Sequence, residues 1–242
     1  MAALFELDQR RRLPELMDDP ALDERRHLHA LQGLRRINWF GNSAGLIWPS
    51  LVELSRKLKR SIRVLDIATG SGDIPLALAR RAKKRGISME LEGCDLSGRA
   101  VAQAQRNAEE AQLPVRFFEH DALNLPLANG YDAIMCSLFL HHLERDDAVN
   151  LLRKMGGACG SLTLASDLIR TPSSFLLTYA ASRLLTRSDV VHVDGPLSVR
   201  AAFNMAEARE LAIEAGLIDC QIRPRFPCRY ILTWWRKGES AI

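Results

Sequence analysis

Residues 64–75 read VLDIATGSGDIP. Val64, Leu65 and Ile67 form the apolar run of a buried strand around Asp66, and Gly70 and Gly72 bracket Ser71 ahead of a second apolar run. Glycine enters the left-handed backbone region without steric cost, so this spacing predicts a sharp turn. A strand, a tight turn and a helix open a βαβ unit, and the same alternation recurs downstream. Strands are expected over 63–67, 89–94, 115–119, 131–137 and 161–166. The first helix should follow Asp73 as its N-cap and stop at Gly86 after the basic turn Arg80 to Arg85. A second opens at Ser97 and ends near Leu113-Pro114, and a third covers 144–155 and breaks at Gly156-Gly157.

Two regions stand outside this alternation. Residues 1–60 read as helices, over 22–37 and 47–58, and residues 168–206 form a long insertion before a helix at 207–215. The chain closes with strand-like runs at 218–223 and 229–235 around a short Pro-containing turn, which makes the last strand antiparallel to its neighbour. The expected fold is α/β: a Rossmann-like, doubly wound sheet of seven strands, with a helical N-terminal cap (1–60) on an α/β domain (61–242). The helical insertion at about 168–206 completes the cap.

A chain of 242 residues with 47% apolar and 26% charged residues suits one globular α/β domain with an attached subdomain. The net charge of +4 is mostly Arg spread along the chain, and Arg10-Arg11-Arg12 reads as a solvated face or terminal cap, so no nucleic-acid partner is expected. Five cysteines show no C-x-x-C pair, and Cys94, Cys136 and Cys220 lie in apolar strand-like runs. That usage fits a reducing cytoplasm. The N-terminus lacks the apolar region of a signal peptide, and no run reaches the ~18 apolar residues of a membrane span. A homodimer is left open.

Dinucleotides, nucleoside triphosphates and S-adenosylmethionine (SAM) are all held at strand-to-helix turns of this general kind. A P-loop needs Lys-Ser or Lys-Thr after its glycines, and none follows here. The dinucleotide pattern G-x-G-x-x-G meets Pro75 at its third position, which counts against NAD without excluding it.

VLDIATGSG resembles the first motif of class I SAM-dependent methyltransferases, an apolar run and an acid before G-x-G-x-G, with Ala68 in place of the first glycine. Ala asks only that the backbone there avoid positive φ. Asp95 closes LEGCDLS and Asp121 closes FFEHDAL; by resemblance they meet the ribose hydroxyls and the adenine amino group, roles that carboxylate acceptors suit. An Asp after a strand is also often a helix cap or Asx-turn. The resemblance covers about 61–236, and YDAIMCSLFLHHL is similar to the fourth-strand motif of ubiquinone/menaquinone-biosynthesis-type members. It implies SAM as cofactor, with Asp66, Ala68, Gly70, Gly72, Asp95, Leu96, Asp121, Ala122 and Ser137 as binding residues. Arg36 and Asn38 could reach the cofactor carboxylate or the acceptor. Trp39 and Trp48 could stack on a planar ring, or simply make a helix contact.

Ser137-Leu138-Phe139-Leu140 replaces the Asn/Asp-Pro-Pro-Tyr/Phe tetrad of base-modifying enzymes, and the metal-binding acids of the catechol type are missing. These residues point to a small, partly apolar acceptor (phenolic, quinol or polyketide-like), with O-methylation ahead of C-methylation and a place in secondary metabolism. No metal-ligand cluster is visible, so metal-independent transfer is expected. His142 and His141, in that order and ahead of His192, are the candidate bases, although either residue of the pair taken singly reads first as packing or capping a helix. The acceptor pocket is expected from residues 27–50 and 171–205 over the carboxyl ends of the strands. Leu176, Leu177, Tyr179, Leu184 and Leu185 read mainly as core, and DGPLS (194–198) as a turn. The rival functions are a SAM-binding regulator or partner without turnover, and a NAD-dependent reductase.

Overall fold

The computed structural model describes residues 7–18, 21–23, 25–26, 29–30, 33, 36–37 and 41–237. Within them, α1 (Ser43–Leu58) precedes β1 (Ile62–Ile67), α2 (Asp73–Arg85), β2 (Met89–Asp95), α3 (Gly98–Glu110), β3 (Val115–Glu119) and β4 (Tyr131–Ser137). There follow α4 (Arg145–Ala158), β5 (Cys159–Leu168), α5 (Pro172–Leu185), α6 (Asp189–Ala201), α7 (Met205–Glu214), β6 (Gln221–Arg225) and β7 (Arg229–Trp235). The seven strands form one sheet in the order β3-β2-β1-β4-β5-β7-β6. β1 to β5 pair in parallel, and β7 runs antiparallel to both β5 and β6.

Successive side chains of a strand face opposite sides, so each buried strand feeds two cores. Ile62 and Val64 of β1 pack with Ile47, Leu51 and Leu54 of α1 and with Leu76 and Leu78 of α2. Leu65 and Ile67 face the other way, onto Leu151, Leu152 and Met155 of α4 and Leu211 of α7. Helix α1 is thus a layer of the sandwich, which corrects its expected place in a cap over residues 1–60. Trp48 on α1 packs against that same core rather than at a ligand.

Other expectations also change. Gly72, not Asp73, is the N-cap of α2, at φ 78. Helix α4 runs through Gly156 and Gly157 to Ala158 instead of breaking there. A Cβ at Gly156 would lie 2.4 Å from Leu217 Cδ2, so this glycine serves close packing and not a helix stop. The insertion is two helices, α5 and α6, and residues 194–198 lie inside α6 rather than in a turn.

The N-terminal strap is held by a half-buried Arg10, which donates to the carbonyls of Ala201 (2.6 Å), His141 (3.0 Å) and Leu143 (2.6 Å). Only part of the Arg10 to Arg12 cluster is therefore a solvated face. Further on, the Asp194 carboxylate of α6 accepts the N–H groups of Leu16 (2.8 Å) and Met17 (3.0 Å). Among the described residues no helix is long and apolar enough to cross a membrane.

Candidate active site

The order β3-β2-β1-β4-β5 places the topological switch between β1 and β4, where open α/β sheets form a ligand crevice at the strand carboxyl ends. The chain leaves β1 through Ala68 (φ 52), Gly70 (φ 56) and Gly72 (φ 78), all left-handed. The expectation that Ala68 avoids positive φ is overturned. Neighbouring bonds hold it there: Thr69 N–H donates to the Cys94 carbonyl (3.0 Å), and Thr69 Oγ1 donates to Asp66 Oδ2 (2.8 Å). Asp95 Oδ2 accepts the Gly70 N–H (2.8 Å) while its Oδ1 accepts that of Ser97 (2.9 Å), so Asp95 pins the turn. A Cβ at Gly70 would meet nothing within 4 Å, leaving an open cradle.

Asp66 is 2% exposed, and its Oδ1 has no hydrogen-bond partner among the described residues. Burial, reinforced by the charge of Asp95 against the opposing Thr69 bond, pushes its carboxyl up to about 7. Ser137 Oγ at the end of β4 is likewise buried without a partner. Orphaned buried polar atoms are costly, and two of them on one cavity wall mark a place for a ligand's polar groups.

That cavity, of about 370 Å³, runs from Asp66, Gly70 and Ser137 past His141 and His142 to Leu177 and Leu185 of α5. After β4, Leu138 turns at φ 55 with its N–H on the Ser166 carbonyl (2.8 Å), and Leu140–His142 form one 3-10 turn. Because Ser137 pairs in register with Ser166, Asp167 on β5 comes alongside this turn. Its Oδ2 accepts the His141 N–H (3.1 Å), and Oδ1 meets His141 Nδ1 at 2.6 Å. Burial alone would lower the His141 pKa, but the charge and hydrogen bond of Asp167 outweigh it and raise the pKa above 6.5. The His142 ring lies 4.2 Å from that of His141, and burial together with the His141 charge lowers it to about 3. One imidazole is made more basic and the other is kept neutral.

Three features of this site escaped the sequence reading. Asp167 was missed because only strand register carries it to His141. Glu15 of the strap accepts from Ser198 Oγ (2.6 Å), and one donor atom from each of Glu15, His141 and His142 lies within 4.8 Å of the others. The expectation that no metal-ligand cluster exists is thereby corrected: two imidazoles and a carboxylate are a donor set that suits a divalent transition metal. Arg229 of β7 sets a buried guanidinium on the cavity wall, with burial lowering its pKa to about 10.

The structure disperses other predicted residues. Asp121 closes an Asx-turn, its Oδ1 accepting the N–H groups of Leu123 and Asn124 (both 3.0 Å) and its Oδ2 accepting Asn124 Nδ2 (2.8 Å). Ala122 is core, and Leu96 is exposed beside Asp95. A Cβ on Gly72 would come 2.6 Å from Phe117 Cζ, so that glycine packs the turn and does not line the cavity. His192 Nε2 lies 3.0 Å from the Thr186 carbonyl, and His192 is not among the residues lining the cavity. Arg36 is exposed outside the cavity lining, and Asn38 and Trp39 lie outside the described residues. The cavity matches the expected 171–205 roof, but on the N-terminal side it extends to Glu15, beyond the expected 27–50.

Residues 64–160 match a family model described as a methyltransferase domain. A demethylmenaquinone methyltransferase of Thermus thermophilus is 42% identical over 134 residues, 54% of this chain and 58% of the relative, so the chain spans little more than half of that protein. Magnesium protoporphyrin IX methyltransferase of Synechocystis PCC 6803, solved with bound S-adenosylhomocysteine, superposes over 90% of both chains (TM-score 0.58, 18% identity). An O-methyltransferase of neocarzinostatin biosynthesis, solved with S-adenosylhomocysteine and 1,4-dihydroxy-2-naphthoic acid, matches over 86% of this chain and 56% of its own (TM-score 0.58, 20% identity).

Proposed function

We propose, from the premise that residues 64–160 form a methyltransferase domain of the class I SAM-dependent type, that this chain methylates a hydroxyl of a small, partly apolar phenol or quinol. The observation that carries the proposal is a single cavity joining the open turn after β1 to the Asp167–His141 pair.

The residues present fit the cofactor. The unpartnered Asp66 Oδ1 suits the α-ammonium of its amino-acid part, Gly70 leaves room for close approach, and the Asp95 carboxylate has lone pairs left for the ribose hydroxyls. When bound, the cofactor supplies an electrophilic methyl group on a sulfonium. The chain must then align the acceptor and remove its proton. Leu177 and Leu185 hold an apolar ring, and His141 accepts the hydroxyl proton at Nε2. Asp167 fixes Nδ1 and stabilises the imidazolium that results. His142 stays neutral and orients the acceptor. His192 drops out of the order of bases, and His141 moves ahead of His142.

A second reading is methylation of a carbon, favoured by similarity to a ubiquinone/menaquinone biosynthesis C-methyltransferase of Rickettsia bellii, 36% identical over 72 residues. Deprotonating a quinol spreads charge from oxygen onto the ring, so the same base serves both outcomes.

The test incubates the chain with SAM carrying a deuterated methyl group and a reduced 1,4-naphthoquinol, with product analysis by mass spectrometry and NMR. A labelled methyl ether is expected, and His141→Ala should lower turnover by ~10²–10⁴-fold. The base works deprotonated, so kcat/KM should climb as pH rises through the elevated His141 pKa, above 6.5. Asp167→Asn removes the charge that raises that pKa, and should move the limb to lower pH while slowing turnover. Chelator should leave the rate unchanged. Loss of activity on chelation, restored by zinc or iron, would make Glu15, His141 and His142 a metal site instead. Unaltered turnover of His141→Ala across pH 6 to 9 would remove the histidine base.

A further inference from the structure

Helix α5 is built inside out. Its buried residues are Ser174 and Ser182, while Leu176, Leu177, Tyr179 and Leu184 are exposed, Leu184 at 83%. Half-buried Phe175, Ala181 and Leu185 lie on the inner side, but so many exposed large apolar side chains run against the ordinary amphipathic order. The inner side packs closely on α6: a Cβ at Gly195 would stand 3.3 Å from Thr178 Cγ2 and 3.7 Å from Ser182 Cβ. The leucines are left on the outer side of the cavity roof. Beside them the β6–β7 turn presents Phe226, also 83% exposed, and Cys228 Sγ reaches the Ser174 carbonyl at 3.7 Å. Leu177 belongs to the exposed stripe and to the cavity wall, as do neighbouring Pro227 and Cys228 to the wall. The patch therefore borders the cavity at Leu177, Pro227 and Cys228.

Its charge has one sign. Residues 172–188 carry Arg183 and Arg187 and no acid, and residues 221–228, up to the turn, carry Arg223 and Arg225 and no acid. Arg183, Arg187, Arg223 and Arg225 are exposed. The next acid in sequence, Asp189, is paired with Arg26 at 2.5 Å. Arg183 lies over the Tyr179 ring at 3.5 Å, joining an aromatic edge to a cation as interfacial helices do.

We propose that this face docks the chain on an anionic lipid surface, with the leucines and Phe226 entering the headgroup boundary and the arginines meeting lipid phosphates. Docked in this way, the cavity mouth opens toward the bilayer, from which an apolar acceptor would enter without crossing water. A second copy fits less well, because a two-fold contact would set the same basic residues against themselves.

Flotation of the full chain with vesicles tests this. One set is phosphatidylcholine alone and the other contains about 30% phosphatidylglycerol, which supplies the negative surface that basic residues recognise. The chain should float with the anionic vesicles, stay behind with the neutral ones, and be released as salt rises. Leu176→Glu/Leu184→Glu and, separately, Arg183→Glu/Arg187→Glu should each weaken binding by about tenfold or more. All four side chains are exposed, and an unchanged melting temperature would show that the variants fold. Absence of flotation with either vesicle, or binding unaffected by both variants, overturns the proposal. So does a stable dimer by sedimentation equilibrium that Leu184→Glu dissociates, because the face would then be a self-interface.

Discussion

Ala68 holds φ 52 at the first position of the turn after β1, where the related motif carries glycine. Left-handed backbone costs an alanine ~1–2 kcal/mol, so Ala68→Gly should raise stability by about 0.5–1 kcal/mol after the extra flexibility of the unfolded chain is counted. Gly72 should respond in the opposite sense. A methyl there strikes Phe117 and is strained at φ 78, so Gly72→Ala should cost about 2–4 kcal/mol. Urea unfolding of both variants checks this, and destabilisation by Ala68→Gly would show that the turn is not strained. The glycines and Asp66 were legible because turn chemistry is local. The φ of Ala68 was not legible, since it is imposed by Thr69 bonding to Cys94 and Asp66, and neither was the bond from Gly70 to Asp95, which forms only where the ends of β1 and β2 meet.

At the scale of elements, the strands could be read because burial on both faces of a parallel sheet demands continuous apolar runs, as in β4, which is buried at every position. Helix α4 and the roof were harder. In both, a glycine signals close packing: Gly156 against Leu217, and Gly195 against Thr178 and Ser182. A single sequence cannot separate that use from a turn. Helix α6 has a second duty, since the buried Asp194 holds the N–H groups of Leu16 and Met17 and so fixes the strap that carries Glu15. Asp194→Ala should free this segment at a cost comparable to a lost helix cap and raise the acceptor KM by roughly tenfold, with SAM affinity nearly unchanged. Trypsin should then cut faster near Arg10 to Arg12. An unaltered KM would mean that the strap takes no part in holding the acceptor.

At the scale of the whole molecule, the sheet order decides the rest. Reversal of the strand order between the parallel neighbours β1 and β4 leaves a crevice into which Asp66, Ser137 and His141 all project, from segments 71 and 4 residues apart in sequence, and β5 adds Asp167 to the same end. The roof closes it mainly with the apolar side chains of Leu177, Ala181, Leu185 and Val191, which suits a ring-shaped acceptor, while the strap adds the Glu15 carboxylate. The alternation of strands and helices made this architecture readable. The His141–Asp167 pair was not, because it arises only when β4 and β5 lie in register.

Cofactor choice is the claim on which everything else depends, and calorimetric titration of the chain with SAM and with NAD, at pH 6 and pH 8, tests it most directly. Burial pushes the carboxyl of Asp66 up to about 7, and a bound ammonium would favour its ionised form. SAM should therefore bind at one site per chain, release protons near pH 7, and bind more tightly at pH 8 than at pH 6, while NAD gives no specific heat. Tighter binding of NAD than of SAM, or SAM binding that is absent at both pH values, would contradict the account.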